Sequence, residues 1–262
     1  MMETPVVVIT GASTGIGQAL VMRWAREGAR MVIQARDRIA LEKVAREATS
    51  AGAVCLAESG DVTKEEDRVR LIERAKNELG TIDVLVNNAG RGYYAAAHDI
   101  DLALLQELFA LNVFAPLRLA QLALPSLEAS KGQIVMLSSI AGVAAAPKMG
   151  AYAATKFALE GLSMSMRAEL VEKGVNVLVV RPGPVDTSFR ASSITKNAEA
   201  GVRPKGAKAQ TAEEVADMTV RAVASRAATI ETSLFVNVGS FAARVLPPIF
   251  RFATARMAKK EA

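Results

Sequence analysis

A tyrosine and a lysine four residues apart, Tyr152 and Lys156 in Ala151-Tyr-Ala-Ala-Thr-Lys156, define the chemistry this chain can offer. On a helix that spacing puts both side chains on one face. A free phenol titrates near pH 10, and bringing it to about 7 takes roughly 4 kcal/mol of preferential stabilisation of the phenolate. A neighbouring cation supplies part of that, and the pair then becomes a donor and acceptor of protons. The same spacing also describes a packed ring beside a solvated amine, and the pair alone does not separate the two readings.

The elements that must position such a pair begin at the N-terminus. Thr10-Gly-Ala-Ser-Thr-Gly15-Ile-Gly17 follows the apolar run Pro5 to Ile9 and opens the helical pattern Gln18, Ala19, Leu20, Met22, Arg23. In a strand, glycine turn and helix of this kind, the glycines let the backbone approach a pyrophosphate. The helix N-terminus offers that anion unpaired N–H groups and a positive dipole end. With one histidine, His98, and one cysteine, Cys55, the chain has no ligand set for a histidine-rich or Cys/His metal site. A Ser-His-Asp hydrolase would have to use His98 as its base, and that class is disfavoured. His98 reads as a loop or helix-leading residue before the helix that begins near Asp101, and Cys55 as a buried strand thiol.

Together these residues resemble a short-chain dehydrogenase/reductase of the single-domain branch. The glycine turn has that family's TGxxxGIG form, Asn87-Asn-Ala-Gly90 is similar to its NNAG element, and Ser139 precedes Tyr152 by the family's interval. Asn112 in Leu111-Asn-Val falls where the family carries a fourth catalytic residue, and Arg181-Pro-Gly-Pro-Val-Asp-Thr187 resembles the segment that closes over the nicotinamide. The resemblance implies that Tyr152 gives its proton to a carbonyl oxygen while Ser139 orients that carbonyl. Lys156 then lowers the Tyr152 pKa and holds the nicotinamide ribose, and Asn112 pins a water that leads from Lys156 to solvent. Ser138 is expected to point to the opposite side of the strand. Cofactor contacts are implied at Gly11, Ser13, Thr14, Gly15, Ile16 and Gly17, at Asn88, Ala89 and Gly90, at Tyr152 and Lys156, and at Pro182, Gly183, Val185 and Thr187. Asp61 and Val62, after the third strand, resemble the adenine contact.

Apolar runs at Val6 to Ile9, Met31 to Gln34, Val54 to Ala57, Val84 to Val86, Ile134 to Leu137, Val177 to Val180 and Leu234 to Val238 alternate with helical periodicity. That alternation argues for a doubly wound parallel sheet of Rossmann-like α/β/α architecture, and the resemblance implies the order 3-2-1-4-5-6-7. The second strand ends in Ala35-Arg36-Asp37. In the family's register Ala35 takes the place of the carboxylate that binds a ribose 2′-hydroxyl, and the following Arg36 suits a 2′-phosphate, which favours NADP(H) over NAD(H). Asp37 caps the next helix, and a solvated Arg36 at a strand end is the competing reading.

At 262 residues and 51% hydrophobic composition, the chain reads as one dinucleotide-binding catalytic domain over 1–262. There is no internal repeat and no apolar run of about 18 residues, and the start carries no charged and then apolar leader. A cytoplasmic enzyme is expected, acting on an apolar or lipid-like ketone or aldehyde as a homodimer or homotetramer. A 3-oxoacyl thioester (acyl-carrier-protein) reductase and a non-catalytic NADPH-binding regulator are the alternatives. Departure of Val236-Asn-Val-Gly-Ser240 from a VNGG-like ending weighs against the former, and the full Asn112, Ser139, Tyr152, Lys156 set against the latter. Residues 188–210 read as a lid whose Lys196, Arg203, Lys205 and Lys208 are either solvated or attractive to an anion. The tail 241–262 places Phe241, Val245, Ile249 and Ala253 four apart among basic residues. It is expected to pack within the enzyme, with peripheral membrane contact second and nucleic acid not expected.

Overall fold

The computed structural model describes residues 4–196, 209–245 and 248. In chain order the elements are β1 (Val6–Thr10), α1 (Gly15–Ala25), β2 (Arg30–Ala35), α2 (Arg38–Ser50), β3 (Val54–Ser59), α3 (Glu65–Leu79) and β4 (Val84–Asn87). They continue with β5 (Tyr93–Tyr94), α4 (Leu102–Phe109), α5 (Ala115–Ser130), β6 (Gln133–Leu137), α6 (Gly150–Leu170) and β7 (Asn176–Arg181). β8 (Ile194–Thr195), α7 (Ala212–Ala224), β9 (Thr229–Glu231) and α8 (Leu234–Val245) complete the described chain.

Seven strands form one parallel sheet in the order β3-β2-β1-β4-β6-β7-β9, and the short β5 and β8 pair separately. Within the main sheet this is the order 3-2-1-4-5-6-7. Successive residues of a strand face opposite sides, and β1 shows how that divides the core. Val7 and Ile9 join Leu20 and Trp24 of α1, Leu41 of α2 and Val215 of α7, whereas Val6 and Val8 join Leu71 of α3, Leu119 of α5 and Leu159 of α6. A sheet covered on both faces needs continuous rather than alternating apolar strands, and Val6–Thr10 is buried throughout.

Two expectations are corrected. The seventh strand is Thr229–Glu231, and Leu234 to Val238 opens the helix α8. The apolar positions there follow a helical spacing, with Leu234, Val238, Phe241 and Val245 exposed on one side and Val236 and Ser240 buried on the other. Secondly, α4, a π-helical turn Ala110–Phe114 and α5 form one helical run, Leu102–Ser130, that is long and apolar enough to cross a membrane by length and composition. Its Leu119, Ala123 and Leu127 belong to the core beneath the sheet, as in a core helix of this architecture. Cys55 lies in β3 as expected but is half-buried, and burial pushes its thiol up to about 12.

Because Leu20 is fully buried in the core between α1 and the sheet, Leu20→Ala is expected to destabilise the protein by about 2–5 kcal/mol. Ile39→Ala, on the exposed side of α2 at 82% exposure, should change stability by no more than about 0.5 kcal/mol. Denaturant melts of both variants check this pair.

Candidate active site

The carboxyl ends of β1 and β4 are joined by a small set of polar bonds. Thr10 Oγ1 accepts from the N–H groups of Asn88 and Ala89, each at 3.1 Å, and donates to the Val86 carbonyl at 3.3 Å. Asn88 Nδ2 donates to the carbonyls of Thr10 and Gly11, both at 2.9 Å. A Cβ on Gly17 would stand 2.1 Å from the Gly11 carbonyl and 2.6 Å from Asn88 Nδ2, so only glycine fits. Gly11 and Gly15 have φ of +64° and +56°, a region glycine enters without strain. The N-cap, Thr14, makes no side-chain bond and the first turn of α1 holds no acid. Its first N–H groups therefore face outward to an anion, in contrast to α7, where Thr211 and Glu214 close a full capping box. A cradle of glycines with open helix N–H groups fits a dinucleotide pyrophosphate. Thr187 closes it from the other side, its Cβ 3.3 Å from where a Gly15 Cβ would lie. Next to it a cavity of about 680 Å³ runs between α1 and α7, bounded by Gln18, Met22, Arg23, Thr187 and Glu213. It flanks the phosphate turn, away from Tyr152.

Helix α6 carries the tyrosine and lysine. Tyr152 is 6% exposed and Lys156 5%, with Nζ 5.8 Å from the Tyr152 ring centroid. Lys156 Nζ donates to the Leu137 carbonyl at the end of β6 at 2.7 Å. Ser139 starts the 3-10 turn Ile140–Gly142, where its Oγ accepts from Ala141 N–H at 3.1 Å and also bonds the Tyr152 hydroxyl. Ser138 turns the other way, its Oγ buried without a hydrogen-bond partner among the described residues. Asn112 sits in the π-helical turn: its Oδ1 accepts from Arg91 N–H at 3.0 Å, and its Nδ2 donates to the Arg91 carbonyl at 2.9 Å and to Thr155 Oγ1 at 3.1 Å. The amide thus ties the loop after Gly90 to α6, with both Nδ2 protons donated and one lone pair of Oδ1 filled.

Burial controls the electrostatics. The Tyr152 phenol lies above its ordinary value, raised first by desolvation and then by the nearby Tyr94, with the Ser139 bond opposing. The expected lowering by Lys156 is absent from the chain alone, because Lys156 is itself desolvated and drawn down to about 8, with Glu160 pushing it back up.

At the end of β2, Ala35 is buried and Arg36 exposed, with no hydrogen bond or ion pair to the described residues, while Asp37 caps α2 by accepting from Ala40 N–H at 3.0 Å. Asp61 Oδ1 already accepts from the Thr63 N–H and hydroxyl at 2.9 and 2.8 Å, and Val62 is buried. After β7, the Pro182 carbonyl accepts from Ile140 N–H at 3.0 Å, and Val185 bridges to Gln210. From there 188–196 folds over the tyrosine. Phe189 tilts across the Tyr152 ring at 5.8 Å between centroids, and β8 pairs with β5, which starts three residues after Gly90. Arg203, Lys205 and Lys208 of the expected lid, and the tail beyond Pro248, lie outside the described residues. Gly11-Ala-Ser-Thr-Gly15 also spells Gly-x-Ser-x-Gly. The lone histidine, His98, is 84% exposed with Asp99 at 3.6 Å, and no hydrogen bond joins it to Ser13.

Three features escaped the sequence reading. Thr10 is the hinge-pin of the β1–β4 clamp, and Tyr94 and Phe189 wall the tyrosine. Thr10 heads the glycine motif and could have been singled out there; the other two carry no local signal.

The family model for short chain dehydrogenases matches residues 5–198. The 2-(S)-hydroxypropyl-CoM dehydrogenase 3 of Xanthobacter autotrophicus is 36% identical over 188 residues, 71% of this chain and 74% of that protein. A short-chain dehydrogenase from Sphingobium yanoikuyae, solved with NADPH, superposes with a TM-score of 0.77 at 27% identity, covering 98% of this chain and 95% of its own. One from Burkholderia phymatum, solved with NAD, shares the fold at a TM-score of 0.82 and 24% identity, over 92% of this chain and 93% of its own. The chain belongs to the short-chain dehydrogenase family. It is an oxidoreductase acting between CH–OH and carbonyl groups.

Gly17→Ala tests the cradle, since the added methyl meets backbone and cannot be accommodated by rotating a side chain. Nucleotide affinity is expected to fall at least about tenfold, about 1.4 kcal/mol, together with a lower melting temperature. Titration calorimetry alongside a thermal melt reads both, and wild-type affinity would show that the turn opens at no cost.

Proposed function

We propose that this enzyme reduces a ketone or aldehyde with NADPH, with Tyr152 as the proton donor, and runs in reverse on the alcohol. The observation that carries the reading is the burial of Tyr152 and Lys156 on one face of α6, bounded by Ser139, the Asn88–Gly90 segment and the Pro182–Gly183 turn. A bound nicotinamide dinucleotide supplies the hydride. The Tyr152 hydroxyl hands its proton to the carbonyl oxygen as negative charge grows there, and takes it back in oxidation. Ser139 Oγ orients that oxygen and stabilises its charge. Lys156 holds the nicotinamide ribose, and its charge favours the phenolate once Tyr152 has given up its proton. Asn112 keeps the loop at Arg91 and α6 in register, so that Gly90 and Lys156 stay on the same side of the site.

NADPH is favoured by the lack of a carboxylate at Ala35 and by the exposed Arg36 beside it. An apolar substrate is supported by the surroundings of the phenol, where Ala141, Ala153, Met149 and Phe189 pack against Tyr152. Self-association as a dimer or tetramer is supported by the large apolar side chains that the π-helical turn before α5 (Phe114) and α6 (Phe157 and Met164) leave exposed.

NADPH oxidation followed against ketones, aldehydes, quinones, steroids and acetoacetyl thioesters tests the reaction class. Tyr152→Phe should lower turnover by about a hundredfold or more with NADPH affinity nearly intact, and near-normal turnover would remove Tyr152 from the mechanism. The cofactor assignment is tested by Arg36→Asp, which turns attraction for the 2′-phosphate into repulsion. The preference for NADPH over NADH should drop by at least an order of magnitude, about 1.4 kcal/mol. Dissociation constants for both cofactors decide it, and an unchanged ratio would place recognition elsewhere.

A further inference from the structure

Behind the tyrosine–lysine face lies a buried ionic cluster to which the reaction assigns no part. Arg181, the last residue of β7, is 5% exposed and forms a two-pronged bond to Glu160 of α6, Nε to Oε1 at 2.9 Å and Nη2 to Oε2 at 2.8 Å. Its remaining arm, Nη1, donates to Glu231 Oε1 at the end of β9 at 2.7 Å. Glu160 is also 5% exposed. Burying such ions costs several kcal/mol each unless their bonds are complete, and here three elements must hold position to complete them.

The cluster sits at the joint of the three pieces that carry the chemistry. Glu160 follows Lys156 by one helical turn, and Arg181 is bonded in sequence to Pro182. The turn after Ser139 packs directly on the pair, since a Cβ on Gly142 would stand 2.9 Å from Glu160 Cγ and 2.6 Å from Ser138 Oγ.

We propose that Glu160 is a positioning residue of this site: through Arg181 it sets α6 against the end of β7, and its carboxylate is the counter-charge that keeps Lys156 an ammonium for the cofactor. The proposal rests on the reading of Lys156 as the ribose contact. Lys156 faces Tyr152 and Glu160 on its own helix, the Leu137 carbonyl of β6 and the Asn112 side of the π-helical turn. Glu160 in turn faces Arg181 of β7 and feels Arg167 on α6. Among these groups the one that opposes the desolvation of Lys156 is Glu160. Lys156 loses its proton near pH 8, so removing the carboxylate must move that loss to lower pH.

NADPH binding to the full chain, followed by nicotinamide fluorescence from about pH 6.5 to 9.5, reads the effect without reference to any carbonyl substrate. Wild-type affinity is expected to weaken above about pH 8. In Glu160→Gln the weakening should begin about one pH unit lower, several-fold below wild type at pH 8 and converging with it near 6.5. Arg181→Met removes the clamp and keeps the carboxylate, so its pH limb should not move downward even where its melting temperature falls. Should Glu160→Gln fail to fold, Glu160→Met combined with Arg181→Met replaces the pair by apolar side chains, an exchange buried ion pairs often tolerate, and the same downward limb is expected. A limb identical to wild type in a folded variant lacking Glu160, or an equal downward shift in Arg181→Met, overturns the proposal. Lys156→Ala separates the two levels. If it weakens NADPH binding while Glu160→Gln leaves the limb in place, the counter-charge role alone is wrong; unchanged binding in Lys156→Ala removes the ribose contact and the proposal with it.

Discussion

The close approach of the first turn of α1 to the ends of β1 and β4 is the constraint on which the rest depends. Gly17 leaves no room for a methyl above the Gly11 carbonyl, and Asn88 Nδ2 spans the carbonyls of Thr10 and Gly11 from the neighbouring strand. Those bonds fix the switch point of the sheet, where the chain turns from the β3-β2-β1 side to the β4-β6-β7-β9 side. A crevice opens at such a point outside the carboxyl ends of the strands. The chemistry follows from that geometry: Gly90 lies two residues beyond Asn88, Ser139 two beyond the end of β6, and Pro182 directly after β7.

A second layer of control comes from desolvation. Tyr152 and Lys156 are both buried, and burial disfavours the charged form of each, raising the phenol and lowering the amine. The two shifts drive the groups apart from nearly equal ordinary values, the phenol upward and the amine down to about 8, so in the chain alone the phenol holds its proton more tightly than the ammonium does. Lys156 is anchored to the Leu137 carbonyl at the end of β6, which holds its ammonium beside the Tyr152 ring.

What the sequence shows and what it hides divide along sequence distance. The glycine turn, the Asn87–Gly90 element and the Tyr152–Lys156 pair each work within a few residues, so their spacing is readable in the chain itself. The misplaced last strand shows the limit of local pattern. Leu234 to Val238 is a short apolar run that suits a strand or a helix equally, whereas the real strand, Thr229-Ile-Glu231, is three residues with polar ends and is defined by pairing with Val179–Arg181. Long-range groups leave no local trace. Arg181 meets Glu160 across 21 residues and Glu231 across 50, and Tyr94 meets the post-nicotinamide segment through a two-residue ladder. The direction of the Tyr152 shift escaped for the same reason, because desolvation is a property of the packed site and not of the YxxxK spacing.

That ladder also explains why the phenol is so deeply covered. Tyr93 and Tyr94 pair with Ile194 and Thr195, Arg91 Nε donates to the Ser192 carbonyl at 2.9 Å, and a Cβ on Gly92 would stand 2.5 Å from Ser193 Oγ. Glycine at position 92 lets the two segments meet this closely, and their meeting carries Phe189 across the Tyr152 ring. On the proposed reaction a carbonyl oxygen must come within hydrogen-bond reach of the phenol, about 2.6–3.2 Å, and the Phe189 ring then occupies one wall of the space a substrate would need. Phe189 reaches the phenol by its side chain, whereas Tyr94 is held beside it by the β5–β8 pairing itself. The desolvation that raises the Tyr152 phenol is therefore built by two separate pieces of chain, the β5–β8 ladder and the Phe189 ring.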